Sequence, residues 1–270
     1  MAEEAPATRI DKAFGRQAFG ADAANYDAAR PDYPDWVYET LATRCGVGQG
    51  TRCFEIGPAT GLATRHLLAM GAQVTAIEPD ARLAAFLTAQ GGAVEVRNST
   101  FEDAALEDGA YDVGLAATSF HWLDEDQALA KIAKALKPDG WWAAVWNIFG
   151  DPTRPDPFHD ATTGVLGGVE SPSSGVRTQL TGLGFGGEVE LRQAALARAG
   201  AFEPADVRFG HWPLVLDPDQ TVALYATYSN VQVRPDRDAV LAELRRIAET
   251  EFAGRVTRHM TTVLYTARRR

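Results

Sequence analysis

A glycine-containing segment, CFEIGPATGLATRHL at residues 53–67, holds residue types that can bind a small ligand through the backbone. It begins as an apolar strand, breaks at Gly57 and resumes as a helix after Gly61. Glycine permits positive φ or a close approach between backbone and ligand, which a side chain would obstruct. The next apolar run ends in Glu78, and a carboxylate there can accept two hydrogen bonds from a ribose diol. The spacing therefore indicates an adenosine-containing ligand and leaves its identity open.

Two classes of cofactor compete for this turn. The dinucleotide fingerprint requires glycine at its first, third and sixth positions, which here hold Gly57, Ala59 and Leu62. Because two of the three glycines are missing, a nicotinamide-dependent oxidoreductase is the weaker alternative. A non-catalytic module that keeps the cofactor fold in order to bind a protein partner is a further alternative.

The order Glu55-x-Gly57-x-Ala59-x-Gly61 resembles motif I of the class I S-adenosylmethionine-dependent methyltransferases, E/D-x-G-x-G-x-G. Alanine replaces the middle glycine, which adds a methyl group where the methionine half of the cofactor passes. Glu78 matches the ribose-binding acid of that family. By this resemblance, Glu55 orients the turn and the cofactor amino group. An N-cap or a buried ion pair is the alternative role for Glu55.

Further motifs extend the resemblance over residues 14–148. The adenine-binding turn of the family matches NSTFEDAAL at 98–106. The acid usually found in that turn is replaced here by Thr100 or displaced to Glu102 or Asp103. The family segment before the fifth strand matches LKPDGWW. The likeness is to a small-molecule subgroup, the trans-aconitate methyltransferase-like proteins, which share F-x(n)-Y-x(3)-R-P-x-Y-P and F-H-W motifs. Here these motifs are Phe19, Tyr26, Arg30, Pro31, Tyr33, Pro34, and Phe120, His121, Trp122.

The resemblance implies S-adenosyl-L-methionine as cofactor and a small-molecule methyl acceptor, with carboxylate or hydroxyl oxygen as the leading acceptor atom. Arg30 would pair with the methionine carboxylate through two parallel hydrogen bonds, with Tyr26 and Tyr33 closing a lid. A surface salt bridge is the alternative role of Arg30. The apolar walls of the adenine site would be Ile77, Pro79 and Phe101, unless these residues are ordinary core. The predicted cofactor-binding residues are Tyr26, Arg30, Tyr33, Glu55, Gly57, Pro58, Ala59, Gly61, Glu78, Pro79, Thr100, Phe101, Glu102, Thr118 and Phe120.

Candidates for catalysis and acceptor binding follow the predicted fourth strand and lie near the C-terminus. His121 is predicted as a general base, because imidazole titrates near neutrality, with a structural hydrogen bond as the alternative. Trp122 and Trp146 are predicted to face the acceptor, although tryptophans more often pack in a core. Tyr228 is predicted as a catalytic and acceptor-binding residue, with inward packing of an amphipathic helix as the alternative. We assign no metal, since the spacing of the other histidines does not resemble a metal site.

These residues need a scaffold, and the alternation of β-type and helical runs supplies one. Continuous apolar runs predict strands at 51–57, 72–79, 93–99, 111–119 and 141–147, in a sheet covered on both faces. Two later strands, 206–216 and 256–267, would pair antiparallel at one sheet edge. The predicted fold is α/β, Rossmann-like and doubly wound, with a mostly parallel seven-stranded sheet, an antiparallel C-terminal edge strand and a small helical or irregular cap.

The domain organisation predicted from composition has four parts. These are an N-terminal helical lid at 1–35, a cofactor-binding core at 36–149, a cap insertion at 150–187 rich in Pro, Gly and Ser, and the C-terminal part of the fold at 188–270. Helices are predicted at 124–137, 188–199, 217–229 and 235–252, with a mostly helical stretch at 10–45.

Charge and hydropathy limit the classes of partner. A net charge of −10, with a single basic run at Arg268 to Arg270, argues against a nucleic-acid substrate. No run approaches the roughly 18 apolar residues that a membrane helix needs, and the acidic start is unlike a signal peptide. We therefore expect a cytoplasmic protein with no membrane partner. The pattern leaves the oligomeric state open.

Overall fold

A computed structural model describes residues 8–10, 19–167, 169–170 and 182–270. Much of the predicted lid, at 1–7 and 11–18, and part of the predicted cap, at 168 and 171–181, lie outside these described residues. Within the described part, the predicted α/β architecture is confirmed. The described helices include none with the length and apolar character to cross a bilayer.

The centre of the fold is a seven-stranded sheet in the order β3-β2-β1-β4-β5-β7-β6. Strands β1 to β5 run parallel, and β7 lies between β5 and β6, antiparallel to both. The strands are β1 Arg52–Ile56, β2 Gln73–Glu78, β3 Val94–Asn98, β4 Tyr111–Ala117, β5 Leu136–Phe149, β6 Asp206–Leu216 and β7 Val256–Arg268. The strand order reverses between β1 and β4, so a crevice opens beyond the carboxyl ends of these two strands.

Helices cover both faces of the sheet and connect its parallel strands. They are α1 Ala23–Ala29, α2 Asp35–Thr43, α3 Leu62–Ala69, α4 Ala81–Ala89, α5 Glu125–Ala135, α6 Pro157–Leu166, α7 Gly184–Gly187, α8 Val189–Ala199, α9 Pro218–Tyr225, α10 Ser229–Gln232 and α11 Arg237–Thr250. Single 3-10 turns form at Phe19–Asp22 and Phe120–Trp122, and a two-residue parallel pair joins Thr8–Arg9 to Val169–Glu170.

Two predicted helix ends are wrong. Helix α5 ends at Ala135, and β5 begins at Leu136, because Leu136 already pairs with Tyr111 across the sheet. A shift in register after that pair accommodates the KPDG residues, which end a helix in most other contexts. The predicted helix at 217–229 is interrupted because Tyr228 adopts extended backbone before α10 begins. Long-range pairing overrides local helix propensity in the first case.

Candidate active site

The turn between β1 and α3 lies in the crevice and has an unusual backbone. Gly57 and Gly61 have φ of +60° and +91°, as the sequence predicts for these glycines. A Cβ on Gly57 would lie 2.9 Å from the Cβ of Ser119, and one on Gly61 would lie 2.5 Å from Leu87. The positive φ therefore favours glycine at both positions, and at Gly57 the close Cβ of Ser119 favours it as well. Pro58 is buried in this turn, and its carbonyl accepts from the Gly61 N–H at 2.9 Å.

Ala59, the departure from the family motif, also has positive φ, +52°. An L side chain in this region costs roughly 1–2 kcal/mol, part of which the greater chain entropy of glycine offsets. We expect Ala59→Gly to raise the free energy of unfolding by about 0.5–1 kcal/mol in urea denaturation. The matched control, Ala69→Gly at an exposed helical position, should lower it by a similar amount. A destabilised Ala59→Gly variant would show that the Ala59 methyl group makes a contact that outweighs the strain.

Glu78, at the end of β2, binds the turn by hydrogen bonds to the backbone. One carboxylate oxygen accepts from the Ala59 N–H at 3.0 Å, and the other accepts from the Asp80 N–H at 2.9 Å. Each oxygen keeps a second lone pair that a ribose hydroxyl can use. Glu78 is 3% exposed, and burial raises its pKa to about 7. The acid predicted to bind ribose thus also fixes the shape of the turn.

Glu55 lies beneath the same turn and is 1% exposed. It accepts a 2.6 Å hydrogen bond from the Thr64 hydroxyl, so its partner is neither a cation nor a helix N-terminus. Burial raises the pKa of Glu55 to about 7, and the nearby charge of Glu78 adds to the rise. Sequence reasoning missed Thr64, whose only signal is its position in the first turn of α3, facing the end of β1.

The raised pKa of Glu55 makes the free energy of unfolding depend on pH. Because the folded state holds a proton that the unfolded state has lost, stability falls as pH rises from about 4.5 to about 7. Glutamine at this position keeps the acceptor for Thr64 and removes the buried charge. We expect Glu55→Gln to gain about 3 kcal/mol over the wild type between pH 4 and pH 8, by urea denaturation.

The matched control for this prediction is Glu107→Gln, because Glu107 is exposed and pairs with exposed Arg52. Its stability relative to the wild type should change little with pH. If Glu55→Gln showed the same difference at both pH values, the pKa of Glu55 in the folded state would be close to its unfolded value, against the raised pKa given above.

The chain before α2 lies across the carboxyl ends of β4 and β5. The Tyr33 hydroxyl is 2.7 Å from the Thr118 hydroxyl, and Thr118 has φ of +53° at the end of β4. The Asn147 amide on β5 donates to the carbonyls of Pro31 and Asp32 at 3.3 and 3.1 Å. Burial raises the pKa of Tyr33. The structure thus brings predicted residues Tyr33 and Thr118 together, close to the turn.

Within the described part of the chain, Arg30 has aromatic neighbours and no acidic partner. Its guanidinium carbon lies 5.1 Å from the ring centroid of Tyr26 and 5.0 Å from that of Tyr228, and one Nη donates to the Thr227 carbonyl at 3.1 Å. The buried Nε has no hydrogen-bond partner within the described chain. The surface salt bridge considered as an alternative therefore does not describe Arg30. A buried, unpartnered N–H on a half-buried cation fits the predicted pairing with a ligand carboxylate.

The residues predicted around adenine divide into core and surface. Phe101 and Ile77 lie in the hydrophobic core, with the Phe101 and Phe54 ring centroids 6.2 Å apart, which is the alternative that the sequence left open. Thr100 donates to the Asp103 carboxylate at 2.7 Å and caps the turn. Glu102 is exposed and Pro79 is half-buried.

His121 is not arranged as a general base. It is buried, and its Nδ1 accepts from the Trp146 indole N–H at 3.2 Å. Since indole can only donate, the neutral imidazole carries its proton on Nε2, where a base would need a lone pair. The geometry therefore supports the structural alternative, a hydrogen bond that joins the end of β4 to β5.

The aromatic residues that were predicted to contact the methyl acceptor are buried in this structure. Trp146 is 3% exposed and packs against Gly186 of α7 and against Tyr265, whose ring centroid is 5.9 Å away. Trp122 and Phe120 are also buried, each below 7% exposure. The structure places the Trp146 ring under α7, and a contact between Trp146 and the acceptor stays a prediction.

Tyr228 lies beyond β5 among other rings. Its ring centroid is 4.8 Å from that of Tyr225 and 5.2 Å from that of Phe149. The hydroxyl is buried and has no hydrogen-bond partner among the residues that the structure describes. Burial raises the pKa of Tyr228 well above its ordinary value, so this hydroxyl donates and does not act as a base.

Other polar residues of the site carry no sequence motif. The Thr60 hydroxyl, within the turn, is buried and has no partner in the described part of the chain. Ser119 donates to the Ile56 carbonyl at the end of β1. Their position in a turn after a central strand is the only signal that could have found them. No group of three or more His, Cys, Asp or Glu residues within the described ranges could hold a metal ion.

Comparison with known proteins links this geometry to one family of domains. Residues 54–144 match a family model described as a methyltransferase domain. An uncharacterized methyltransferase of Schizosaccharomyces pombe is 30% identical over 133 residues, which cover 49% of this chain and 53% of that protein. The chain thus spans about half the length of the curated relatives that it matches.

Solved structures share the fold at low sequence identity. The YcgJ protein of Bacillus subtilis has a TM-score of 0.56 and 13% identity, with 88% of this chain and 99% of that chain covered. Phosphoethanolamine N-methyltransferase 2 of Haemonchus contortus, in complex with S-adenosyl-L-methionine, has a TM-score of 0.52 and 14% identity, with 94% and 57% covered. At these identities the likeness extends to the fold alone.

Proposed function

We propose that this chain, whose residues 54–144 match a family model described as a methyltransferase domain, is a class I methyltransferase that transfers a methyl group from S-adenosylmethionine to a small-molecule acceptor. The acceptor atom in this proposal is a carboxylate or hydroxyl oxygen. The proposal also keeps the trans-aconitate-like subgroup and the cytoplasmic location expected from the sequence. Its main support is the turn from Gly57 to Gly61, closed onto the buried carboxylate of Glu78.

The residues at the turn suit this cofactor in shape and in charge. Glu78 keeps lone pairs for the ribose hydroxyls, and the left-handed glycines keep side chains away from the methionine half. The unpartnered Nε of Arg30 would donate to the methionine carboxylate. Glu55 and Glu78 supply negative charge once deprotonated, which favours a cationic ligand. When bound, S-adenosylmethionine supplies a methyl group on a sulfonium that is already an activated leaving group.

The work left to the protein is to align the acceptor and to exclude water. The segment that carries Arg30 and Tyr33 covers the crevice, where the Tyr33 hydroxyl meets Thr118. In this proposal the buried Tyr228 hydroxyl, which has no partner within the described residues, donates to the acceptor. These residues orient oxygen atoms, and none of them is placed to remove a proton.

Binding and transfer test the proposal directly. We expect S-adenosylmethionine and S-adenosylhomocysteine to bind the full chain in isothermal titration, and tritium from methyl-labelled cofactor to reach small acids or alcohols. Reduced nicotinamide cofactor is the control ligand, and its fluorescence should not rise on mixing. Absence of binding by either sulfur nucleoside would remove the proposal, and a rise in fluorescence would favour the oxidoreductase alternative.

A further inference from the structure

Tyr228 belongs to a partly buried cluster that motif comparison does not identify. The cluster consists of Phe149, Asp156, Tyr225, Tyr228 and Arg258, and we call it the Tyr228 cluster. The guanidinium carbon of Arg258 lies 5.5 Å from the Phe149 ring centroid and 5.9 Å from that of Tyr225. Arg258 also donates to the Tyr225 hydroxyl and, through Nε, to the Asp156 carboxylate at 2.9 Å.

Arg258 and Asp156 anchor the Tyr228 cluster to the rest of the fold. Arg258 is on β7 and is 3% exposed. Asp156 caps α6 by accepting from the His159 N–H at 3.0 Å. Arg258 therefore holds Tyr225 in place, and the ring of Tyr225 packs against that of Tyr228. Because the pair Arg258 and Asp156 is almost completely buried, its geometry should vary little.

Two donors at the cluster lack partners. They are the Tyr228 hydroxyl and the Nε of Arg30, whose guanidinium lies against the Tyr228 ring, and neither has a hydrogen-bond partner within the described residues. A buried unsatisfied donor destabilises a protein, so each of the two calls for an oxygen acceptor on a ligand. In the proposed function the Arg30 Nε donates to the methionine carboxylate, which leaves the Tyr228 hydroxyl to donate to the methyl acceptor. Two arginines and one aspartate leave the surroundings of Tyr228 with an excess of one positive charge.

The chemistry of the site agrees with a negatively charged acceptor. The Nδ1 lone pair of His121 is engaged by Trp146, and Tyr228 keeps its proton. A neutral alcohol or an ammonium group must lose a proton during methylation, whereas a carboxylate is already ionised at neutral pH. In transfer to a carboxylate, its oxygen lone pair forms the O–CH3 bond while the C–S bond breaks and its electrons stay on sulfur. The products are a neutral ester and S-adenosylhomocysteine, and no proton moves.

We propose that the Tyr228 hydroxyl, positioned by Tyr225 and Arg258 and flanked by Arg30, binds an anionic oxygen group of the methyl acceptor. This inference rests on the proposed methyltransferase function and narrows its acceptor to carboxylates or phosphate monoesters. Arg258 acts through Tyr225 and Tyr228 and is a positioning residue.

The test compares anions with neutral analogues of the same shape. The full chain, saturated with S-adenosylhomocysteine, is titrated with aromatic and aliphatic carboxylates, with phosphate monoesters, and with the matching amides, alcohols and amines. Tyr228→Phe removes only a hydroxyl that has no partner in the described chain. The matched control is Tyr265→Phe, whose hydroxyl donates to the Gly186 carbonyl at 2.7 Å.

We expect anions to bind at least roughly tenfold more tightly than their neutral analogues, and Tyr228→Phe to weaken anion binding by roughly tenfold. Tyr228→Phe should keep the S-adenosylhomocysteine affinity of the wild type and should not lower the melting temperature, because the hydroxyl that it removes is buried and has no partner within the described residues. Tyr265→Phe should lower the melting temperature and keep anion affinity. Carboxylates and phosphate monoesters are distinguished by which of them binds, and either result supports the inference.

Three results would overturn it: no binding by any anion, equal binding by neutral analogues, or unchanged anion affinity in Tyr228→Phe. Any of these, with S-adenosylhomocysteine still bound by the wild type, removes the inference alone. Failure of S-adenosylhomocysteine to bind the wild type removes the proposed function, and the inference with it.

Discussion

Glu78→Gln is expected to weaken S-adenosylhomocysteine binding about 100-fold in isothermal titration. The carboxylate accepts from the backbone N–H groups of Ala59 and Asp80, and an amide can accept only through its single oxygen. The amide NH2 of the variant would face one of these two donors, so the turn must shift. Loss of charge also weakens hydrogen bonds from ribose, and roughly 3 kcal/mol in total corresponds to the expected factor.

The stability of the same variant separates binding from folding. Glutamine removes a buried acid whose pKa is raised to about 7, and this gain at pH 8 offsets part of the lost hydrogen bonding. We therefore expect the free energy of unfolding to change much less than the free energy of binding. The exposed Glu107→Gln variant controls for a change of net charge and should bind normally. An affinity for Glu78→Gln within threefold of the wild type would contradict a role for this carboxylate in the site.

Local spacing predicts the parts of this site that lie within one strand, turn and helix. The left-handed glycines at 57 and 61 and the acid at the end of β2 follow from short-range rules about turns and strand ends. The same reasoning places the parallel strands within a few residues of their ends. These features depend on residues that are close in sequence, so local sequence rules can predict them.

Residue spacing did not predict the contacts between segments that are distant in sequence. Arg30 meets Thr227, 197 residues later, and His121 meets Trp146 on the neighbouring strand. The first contact depends on how the N-terminal segment crosses the sheet, and the second on the register between β4 and β5. Hydrophobic periodicity contains neither the path of the N-terminal segment nor the register between two strands. His121 was therefore predicted as a base from its position after β4, whereas in the structure it accepts from the Trp146 indole.

Gly57→Ala should be the most damaging small substitution at the turn, through two separable causes. The left-handed φ of +60° costs an L residue roughly 1–2 kcal/mol, and the new Cβ would lie 2.9 Å from the Cβ of Ser119. Together we expect a loss of about 2–4 kcal/mol in the free energy of unfolding by urea denaturation, and loss of detectable cofactor binding.

Ser119→Gly distinguishes the two causes. Removing the Ser119 side chain relieves the contact with the new Cβ and leaves the backbone strain, so the double variant should recover only the steric part. We expect a coupling energy of about 1 kcal/mol in the double-mutant cycle, which also accounts for the lost hydrogen bond from Ser119 to Ile56. Full recovery would mean that the left-handed conformation is not needed at Gly57. Strict additivity would mean that Ser119 does not pack against the new Cβ, and the close approach of Ser119 to the turn would then not be what requires glycine at this position.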